Sequence, residues 1–317
     1  MQSDTNKVVV LATGGTIAGA AAARGDTLHY TAAQLSIGEL LAGIPAFDDL
    51  PVIAEQVAQI DSRDMNLDVW RRLAERCAYW LEQADVAGII VTHGTDTLEE
   101  TAFFLQEVLA PTKPLVLTAA MRPATALLTD GPQNLVDAVT VALVPDARGV
   151  VVVCNGTIHG AEDVTKTHPW RVDAFGSGDA GPIGYVEAGS VRLMRAWPSG
   201  SRTADGNPAA LLQKVLRCTS WPRVEIVMNH AGADGMLVFL LLENRVQGIV
   251  AAGTGNGSLG KPLKEALLVA SKRGIPVVRA TRCAEGHVLG KKTDELPDSH
   301  GLSAVKARIA MQLRLLQ

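Results

Sequence analysis

The chain has 317 residues, of which 47% are hydrophobic, 20% charged and 4% aromatic. This length allows about two domains, and the composition excludes a disordered chain, a collagen-like repeat and a disulfide-stabilised mini-protein. The net charge of −4 provides no cationic field for nucleic acid or anionic lipid, and the few aromatic residues leave little material for stacking bases. A small polar ligand is therefore favoured.

The ends and the cysteines of the chain indicate its compartment. Residues 1–7 are polar and lead directly into the apolar run 8–12, without the basic and apolar regions of a secretory signal. Gly, Pro or a charge interrupts each apolar run before it reaches the about 20 residues that span a membrane. The four cysteines are widely spaced, so we expect free thiols. We predict a cytoplasmic protein, and the spacing of the seven histidines predicts no metal site.

Short aliphatic runs alternate with helical patterns along the chain. Strands are predicted, in chain order, at 8–13, 86–92, 113–119, 149–155, 223–229, 247–253 and 275–281. Helices are predicted at 67–83, 97–109, 131–143 and 261–274. The strands are continuous apolar runs, which is typical of parallel strands buried on both faces. We therefore predict an α/β fold with helices on both faces of the sheet, and an irregular stretch ending at Asn66.

One segment interrupts this alternation. Residues 197–222 are rich in Pro, Ser, Gly and Asp, which predicts a domain boundary. We predict a larger N-terminal catalytic domain, 1–195, with a flavodoxin-like or Rossmann-like parallel sheet. A linker, 196–222, leads to a smaller C-terminal α/β domain, 223–317.

The residues that follow each strand are the candidates for a site, because ligands of open α/β sheets bind beyond the carboxyl ends of the strands. Thr16 follows two glycines after the first strand, either in a structural turn or as a reactive hydroxyl. Asp96 and Thr97 follow the second predicted strand, where they either cap the next helix or contribute chemistry.

Two further clusters carry charge. Ser62 and Arg63 lie shortly before the helix at 67–83 and suit the binding of a carboxylate, whereas Asp64 and Asn66 are candidate helix caps. Lys166 lies in a loop after the fourth predicted strand, where it is either solvated or placed to assist the deprotonation of a hydroxyl.

Acyl transfer is the chemistry that uses all four clusters. Thr16 supplies a nucleophile, and the backbone N–H groups of Gly15 and its neighbours are candidates to hold oxyanion charge. Thr95, Asp96 and Lys166 would form a relay of hydroxyl, carboxylate and amine. The chain contains no GxSxG sequence, so no serine nucleophile elbow competes.

These residues resemble the two hallmark motifs of the bacterial-type L-asparaginases, the asparaginase/glutaminase family. The motifs are TGGTIAG at 13–19 and HGTDTLEETAFFL at 93–105. The similarity covers nearly the whole chain and continues through 61–65, 120–123, 130–132, 163–167, 184–185 and 255–257.

The resemblance implies an amidohydrolase that converts L-asparagine to L-aspartate and ammonia without a metal or organic cofactor. It implies that Thr16 forms an acyl-enzyme with assistance from Tyr30, and that Thr95, Asp96 and Lys166 form a second triad. Side activity on L-glutamine stays open. The residues implied to bind substrate are Gly15, Ser62, Arg63, Gly94, Thr95, Asp96 and Ala120.

The resemblance also implies an assembly. Members of the family form homotetramers built as dimers of dimers, in which the C-terminal domain of one subunit completes the active site of its neighbour. Asp294 and Glu295 are the candidates for the acidic residue that crosses this interface. No nucleic acid or membrane partner is implied. Arg63 and Ser258 depart from the Gln and Asn of well-known periplasmic members, which leaves the preference between asparagine and glutamine open.

Other function classes stay open beside the enzyme. A non-catalytic sensor of asparagine or aspartate, or an amidase subunit that supplies ammonia to a partner, would share the fold, although the intact Thr16, Thr95 and Lys166 favour an enzyme. Separately, three glycines match a dinucleotide fingerprint, but the next predicted strand does not end in the acidic residue that binds a ribose. They are Gly255, Gly257 and Gly260.

Overall fold

The computed structural model describes residues 7–23, 26, 29–48, 50–202 and 206–316. The polar segment 1–6, which entered the prediction of no secretory signal, lies outside the described residues, as do 203–205 of the predicted linker. The chain divides into two compact units, Met1–Arg202 and Thr203–Gln317. The predicted α/β class, with a larger parallel-dominated sheet followed by a smaller α/β unit, is confirmed.

The strands of the described residues are β1 (Lys7–Gly14), β2 (Ala20–Ala21), β3 (Tyr30–Thr31), β4 (Val52–Ile60), β5 (Val86–Thr92), β6 (Pro114–Thr118), β7 (Gly149–Cys154), β8 (Thr157–Gly160), β9 (Thr165–Lys166), β10 (Phe175–Gly176), β11 (Gly184–Glu187), β12 (Ser190–Leu193), β13 (Val224–Met228), β14 (Gly248–Gly253) and β15 (Val277–Thr281). The α-helices are α1 (Ile37–Leu41), α2 (Leu67–Leu81), α3 (Leu98–Leu109), α4 (Gly131–Ala142), α5 (Pro208–Arg217), α6 (Met236–Glu243), α7 (Lys261–Lys272) and α8 (Ala304–Leu315).

In the described part of the first unit, eight strands form one sheet in the order β12-β11-β8-β7-β6-β5-β1-β4. The run from β4 to β7 is parallel, whereas β8, β11 and β12 add antiparallel strands at the other end. Side chains of the parallel strands pack against apolar residues of α4 in one core. Because β4, β1, β5 and β6 are parallel neighbours, their carboxyl ends lie at one edge of the sheet.

The prediction of an irregular stretch before α2 is wrong for 52–60, which forms the strand β4. β4 is an edge strand, and it carries polar residues instead of a continuous apolar run. One of them, Glu55, binds Arg76 of α2 through two contacts of 2.7 and 3.0 Å and also accepts a bond from Trp80. The alternating exposure of such a strand removes the apolar signal on which the other strands were predicted.

The second unit holds a parallel sheet that its described residues form in the order β13-β14-β15. All three strands lie within the predicted ranges. The sheet packs in an apolar core with α6 and α7, through Val238, Ile249 and Leu267 among others. The helix α5 falls inside the segment predicted as a linker, and its first turn is capped by Asn207, which accepts a bond from the Ala210 N–H at 3.0 Å.

In the part of the chain that the structure describes, no helix is both long enough and apolar enough to cross a membrane.

Candidate active site

The predicted site residues of the first unit follow adjacent strands of the sheet. Thr16 begins a short 3-10 turn directly after β1, and Ser62 begins another after β4. Thr95 and Asp96 follow β5, and Ala120 follows β6. The sheet order β6-β5-β1-β4 therefore brings these loops to one edge, and the loop of Ser62 joins them through β4, a strand that was not predicted.

Gly15 and Gly94 bring the two threonine loops into backbone contact. Gly15 has a φ of +82°, and a Cβ on it would lie 2.3 Å from the Cα of Gly94. A Cβ on Gly94 would lie 2.5 Å from the Oγ of Ser62. The loops after β1, β5 and β4 thus approach each other at distances that only glycine permits. The Gly15 N–H, predicted as a donor to an oxyanion, donates to the carbonyl of Ile60 over 2.9 Å.

Thr16 and Tyr30 form the first reactive cluster. The Oγ1 of Thr16 lies 2.8 Å from the hydroxyl oxygen of Tyr30. Thr16 is buried, and its carbonyl accepts a bond from the Gly19 N–H at 2.8 Å. Tyr30 reaches Thr16 from β3, which pairs with β2. The phenol is thus placed to exchange a proton with the threonine hydroxyl.

Lys166, Thr95 and Asp96, the residues of the predicted relay, lie together in a second cluster. The Nζ of Lys166 lies 2.8 Å from Thr95 Oγ1 and 2.6 Å from Asp96 Oδ1. Lys166 lies on β9, opposite Phe175 of β10, and only 17% of its side chain is exposed, against 54% for Asp96. A shielded amine between a hydroxyl and a carboxylate is an arrangement for proton transfer.

Ser62 and Arg63 differ sharply in their surroundings. Ser62 is buried, and its Oγ accepts a bond from the Asp96 N–H at 3.1 Å, while its carbonyl accepts one from Thr97 Oγ1 at 2.7 Å. Arg63 is 73% exposed, and its Nε lies 3.2 Å from an oxygen of Asp61. The structure therefore joins Ser62 to the Asp96 loop and places the Arg63 guanidinium beside Asp61.

Ala120 is also buried near the site. A Cβ on Gly131 would lie 3.1 Å from Ile17 Cγ1 and 3.5 Å from Ala120 Cβ, so the loops after β1 and β6 meet at the start of α4. The loop from Ala120 to Asp130 is fixed by the Asp130 carboxylate, which accepts bonds from the N–H groups of Met121 and Arg122 at 2.9 and 3.0 Å.

Comparison with known families shows where this chain belongs. The family model for the asparaginase N-terminal domain matches residues 7–199, and that for the glutaminase/asparaginase C-terminal domain matches residues 223–317. The chain belongs to the asparaginase family. The predicted membership, in a family of amide hydrolases, is confirmed.

Relatives of this asparaginase-family chain align over nearly its whole length. It is 38% identical to L-asparaginase 2 of Escherichia coli (strain K12), with 98% of this chain and 89% of that protein covered. It is 37% identical to the glutaminase-asparaginase of Pseudomonas fluorescens biotype A, with coverages of 97% and 86%. Among solved structures, the probable cytoplasmic L-asparaginase from Campylobacter jejuni matches with a TM-score of 0.90 at 36% identity, covering 98% of this chain and 95% of that one.

A buried network behind Thr95 was not among the predicted site residues of this asparaginase-family protein. Trp70 Nε1 donates to Thr101 Oγ1 at 2.8 Å, Thr101 Oγ1 lies 2.9 Å from His93 Nε2, and His93 Nδ1 lies 2.7 Å from the Gly94 carbonyl. Because that carbonyl accepts, Nδ1 carries the proton and Nε2 accepts from Thr101. Burial lowers the pKa of His93 to about 4, so the ring is neutral and fixes the peptide before Thr95.

Asp294 and Glu295, the candidate acidic residues of the second unit, both bind basic residues of the same unit. Asp294 accepts bonds from the Lys291 N–H at 2.9 Å and from Arg279 Nη2 at 2.6 Å, and the first of these contributes most to lowering its pKa. Glu295 lies 2.6 Å from Lys264, which lowers the pKa of that carboxyl. Ser258 closes a turn with Thr254 through two backbone bonds of 2.7 and 3.0 Å.

The cysteines are unpaired, as predicted, and Cys77 and Cys154 are buried. Burial raises the pKa of both thiols, which keeps them protonated and unreactive. Among the residues that the structure describes, no cluster of three or more His, Cys, Asp or Glu side chains could hold a metal ion.

Proposed function

We propose that this chain hydrolyses L-asparagine to L-aspartate and ammonia through an acyl-enzyme on Thr16. The observation that carries the proposal is the contact of Gly15 with Gly94, which brings the Thr16–Tyr30 pair and the Thr95–Lys166 pair to one edge of the sheet. The relatives named L-asparaginase support the substrate. Two hydroxyls, each hydrogen-bonded to a side chain that can exchange a proton, suit an acyl transfer.

In the first half, Thr16 Oγ1 attacks the side-chain amide carbon of asparagine. A C–O bond forms as the C–N bond breaks, and the threonine proton passes by way of Tyr30 towards the departing nitrogen, which leaves as ammonia. In the second half, water attacks the ester carbon, and Thr16 regains its proton as L-aspartate leaves. Thr95, held by Lys166, supports the proton transfers on the opposite side of the amide.

The α-amino and α-carboxylate groups of the substrate need charged and polar partners. Asp96 supplies a half-exposed carboxylate for the ammonium group. Ser62, joined to the Asp96 N–H, supplies a hydroxyl for the carboxylate, with the backbone of Gly94 beside it. Ala120 forms an apolar wall of the proposed substrate site, and Arg63 lies at its entrance. Activity on L-glutamine accompanies the main reaction, as the name of the Pseudomonas fluorescens relative suggests.

The chain acts as a homotetramer, a dimer of dimers in which the C-terminal domain, 223–317, completes the site of a neighbouring subunit. Support comes from α6, on which four apolar side chains are between 41% and 62% exposed: Met236, Leu237, Phe239 and Leu240. Light scattering should give four times the chain mass of 33.4 kDa. A Leu237→Glu variant that becomes monomeric should also lose activity, and an active monomer would contradict a shared site.

The protein works in the cytoplasm. The unpaired cysteines and the name of the Campylobacter jejuni structure support this compartment, although another relative is named a periplasmic asparaginase. Immunodetection in fractionated cells should find the chain with cytoplasmic markers, and its recovery with periplasmic markers would refute this location.

A coupled ammonia assay on L-asparagine, L-glutamine and D-asparagine tests the function directly. Wild-type protein should release ammonia fastest from L-asparagine, and Thr16→Ala and Thr95→Ala should each abolish turnover with unchanged circular dichroism. Acid quenching during turnover should leave an aspartyl group on the peptide that contains Thr16. A sensor would bind asparagine in calorimetry without releasing ammonia, and an active Thr16→Ala variant would refute the nucleophile.

A further inference from the structure

The pairing that carries Tyr30 is short and needs support from outside. β2 and β3 pair over only two residues each, with Ala21 opposite Tyr30 and Ala20 opposite Thr31. A two-stranded pair of this kind is at best marginally stable in water. Yet the Tyr30 hydroxyl must stay 2.8 Å from Thr16 Oγ1 for the two groups to exchange a proton.

The chain after Tyr30 is fixed by backbone bonds. The Ala33 N–H donates to the Gly15 carbonyl at 3.0 Å, and the N–H groups of Gln34 and Leu35 donate to the Ala18 carbonyl at 2.7 and 3.0 Å. These bonds do not depend on the identity of a side chain, so they hold the β3 end of the pair in any variant with the same backbone.

The strand β2, before Tyr30 in the chain, is bound by a side chain from the loop after β6. The Ala21 N–H donates to Thr125 Oγ1 at 2.9 Å, and the neighbouring Ala124 N–H donates to the Gly19 carbonyl at 2.9 Å. Thr125 therefore supplies the side-chain anchor on β2, directly opposite Tyr30. Gly19 adds a close fit, because a Cβ there would lie 2.9 Å from Cδ2 of the Tyr30 ring.

The loop that carries Thr125 is bound at both of its ends. Its start is bound by the carboxylate of Asp130, and Asn134 of α4 donates to that carboxylate at 3.2 Å and to the Ala119 carbonyl at 2.8 Å. The same loop presents Ala120 at the site. The loop of the candidate site residue Ala120 thus also contacts β2, the strand that pairs with Tyr30.

We propose that Thr125 is a positioning residue for the reaction: its hydroxyl anchors β2 and thereby holds the Tyr30 phenol on Thr16. Thr125 would act through Ala21 and Tyr30, and we assign it no direct part in the reaction. The inference deepens the proposed function, and its kinetic test rests on that function, whereas the anchoring contact can be tested without any turnover.

The matched variants are Thr125→Val, which keeps the shape and removes the hydroxyl, and Thr125→Ser, which restores it. Thr129→Val is the control in the same loop, where the hydroxyl makes only a 3.4 Å contact to the Arg122 carbonyl. Amide hydrogen exchange at Ala21 should speed up about tenfold in Thr125→Val and stay at the wild-type rate in Thr125→Ser and Thr129→Val. Unchanged exchange at Ala21 in Thr125→Val would overturn the anchor.

Kinetics on L-asparagine separate positioning from general loss of structure. Thr125→Val should lower kcat/KM about tenfold, Thr125→Ser should restore it to within about twofold, and Thr129→Val should match wild type. In a Tyr30→Phe background, Thr125→Val should lower kcat/KM by less than about twofold, because both changes act through the same hydroxyl contact. A full tenfold loss in that background, or no rescue by serine, would overturn the proposal. If wild type releases no ammonia, the proposed function fails, and the exchange result still decides whether Thr125 is the anchor.

Discussion

The side chains of Lys166 and Thr95 meet directly, with the lysine Nζ 2.8 Å from the threonine Oγ1. The lysine comes from the short strand β9 and the threonine from the loop after β5, so the contact depends on the tertiary fold. Asp96 Oδ1 lies 2.6 Å from the same nitrogen and orients the amine. We propose that the pair acts as one unit in which the amine exchanges a proton with the hydroxyl.

Replacing Lys166 should therefore reduce kcat strongly. We expect Lys166→Met to lower kcat on L-asparagine by about 10²- to 10⁴-fold, the usual contribution of a positioned acid or base. Lys166→Arg should not restore it, because a guanidinium stays protonated. Lys113→Met is the control, since Lys113 donates to the Gln83 carbonyl away from these residues. The kcat of the double variant Lys166→Met, Thr95→Val should be only slightly lower than that of the slower single variant. If the two losses in kcat multiply instead, the side chains do not share a proton path.

The contrast between Ser62 and Arg63 predicts different kinetic effects from neighbouring positions. Ser62→Ala removes the acceptor of the Asp96 N–H and should raise KM for L-asparagine about tenfold or more. Arg63→Ala should change KM by less than about threefold, because the guanidinium is largely exposed and pairs with Asp61. Steady-state ammonia release measures both. A larger effect at Arg63 than at Ser62 would show that the arginine turns into the site when substrate binds.

Gly15 should tolerate no side chain. Gly43, a second glycine with a positive φ, provides the comparison. Gly15 and Gly43 have similar φ values of +82° and +79°, but a Cβ on Gly43 meets nothing within 4 Å. Gly43→Ala should lower the free energy of unfolding by about 1 to 2 kcal/mol, the cost of a left-handed backbone conformation for a residue with a Cβ. Gly15→Ala should lower the free energy of unfolding in urea by more and should also lower kcat/KM, because a φ of +82° with a ψ of −171° suits only glycine and because the Cβ would push Gly94 away. Equal costs at the two positions would mean that the close approach of the loops is unimportant.

The sequence predicted the strand ends well because buried parallel strands leave continuous apolar runs. This was enough to align the loops of Thr16 and Thr95, since adjacent parallel strands end at one edge. It was not enough for β4, whose Glu55 faces Arg76 and interrupts the apolar pattern. Two-residue strands leave no periodic signal at all.

The same limit applies within the site. Tyr30 entered only through the family resemblance, because β3 is too short to be predicted from periodicity. His93 and Thr101 both belong to the motif 93–105, but Trp70 lies in α2. Only the fold shows that α2 brings Trp70 to Thr101. The strands β8 and β12 form hairpins with the strands directly before them, across two-residue turns at 155–156 and 188–189, whereas β11 pairs with β8 from a distant segment.

His159 should make the protein less stable in mild acid. Its ring is buried, Nδ1 lies 2.8 Å from Ser177 Oγ, and burial, with a smaller contribution from Arg195, lowers its pKa from 6.5 to about 4. Between pH 6.5 and about 4, His159 is protonated in the unfolded chain and neutral in the folded chain. The free energy of unfolding should therefore fall as pH falls, by about 1.4 kcal/mol per pH unit for each such histidine.

His93 contributes a second proton of this kind, so His159→Asn should remove one of the two. Asparagine keeps a donor for Ser177 and does not titrate. Urea unfolding at pH 4.5, 5.5 and 6.5 should show a pH slope that is lower by about 1.4 kcal/mol per unit in the variant than in wild type. Above pH 7 the two slopes should coincide, because both histidines are then neutral in either state. Parallel curves across the acid range would mean that His159 takes up its proton in the folded protein as readily as in the unfolded chain.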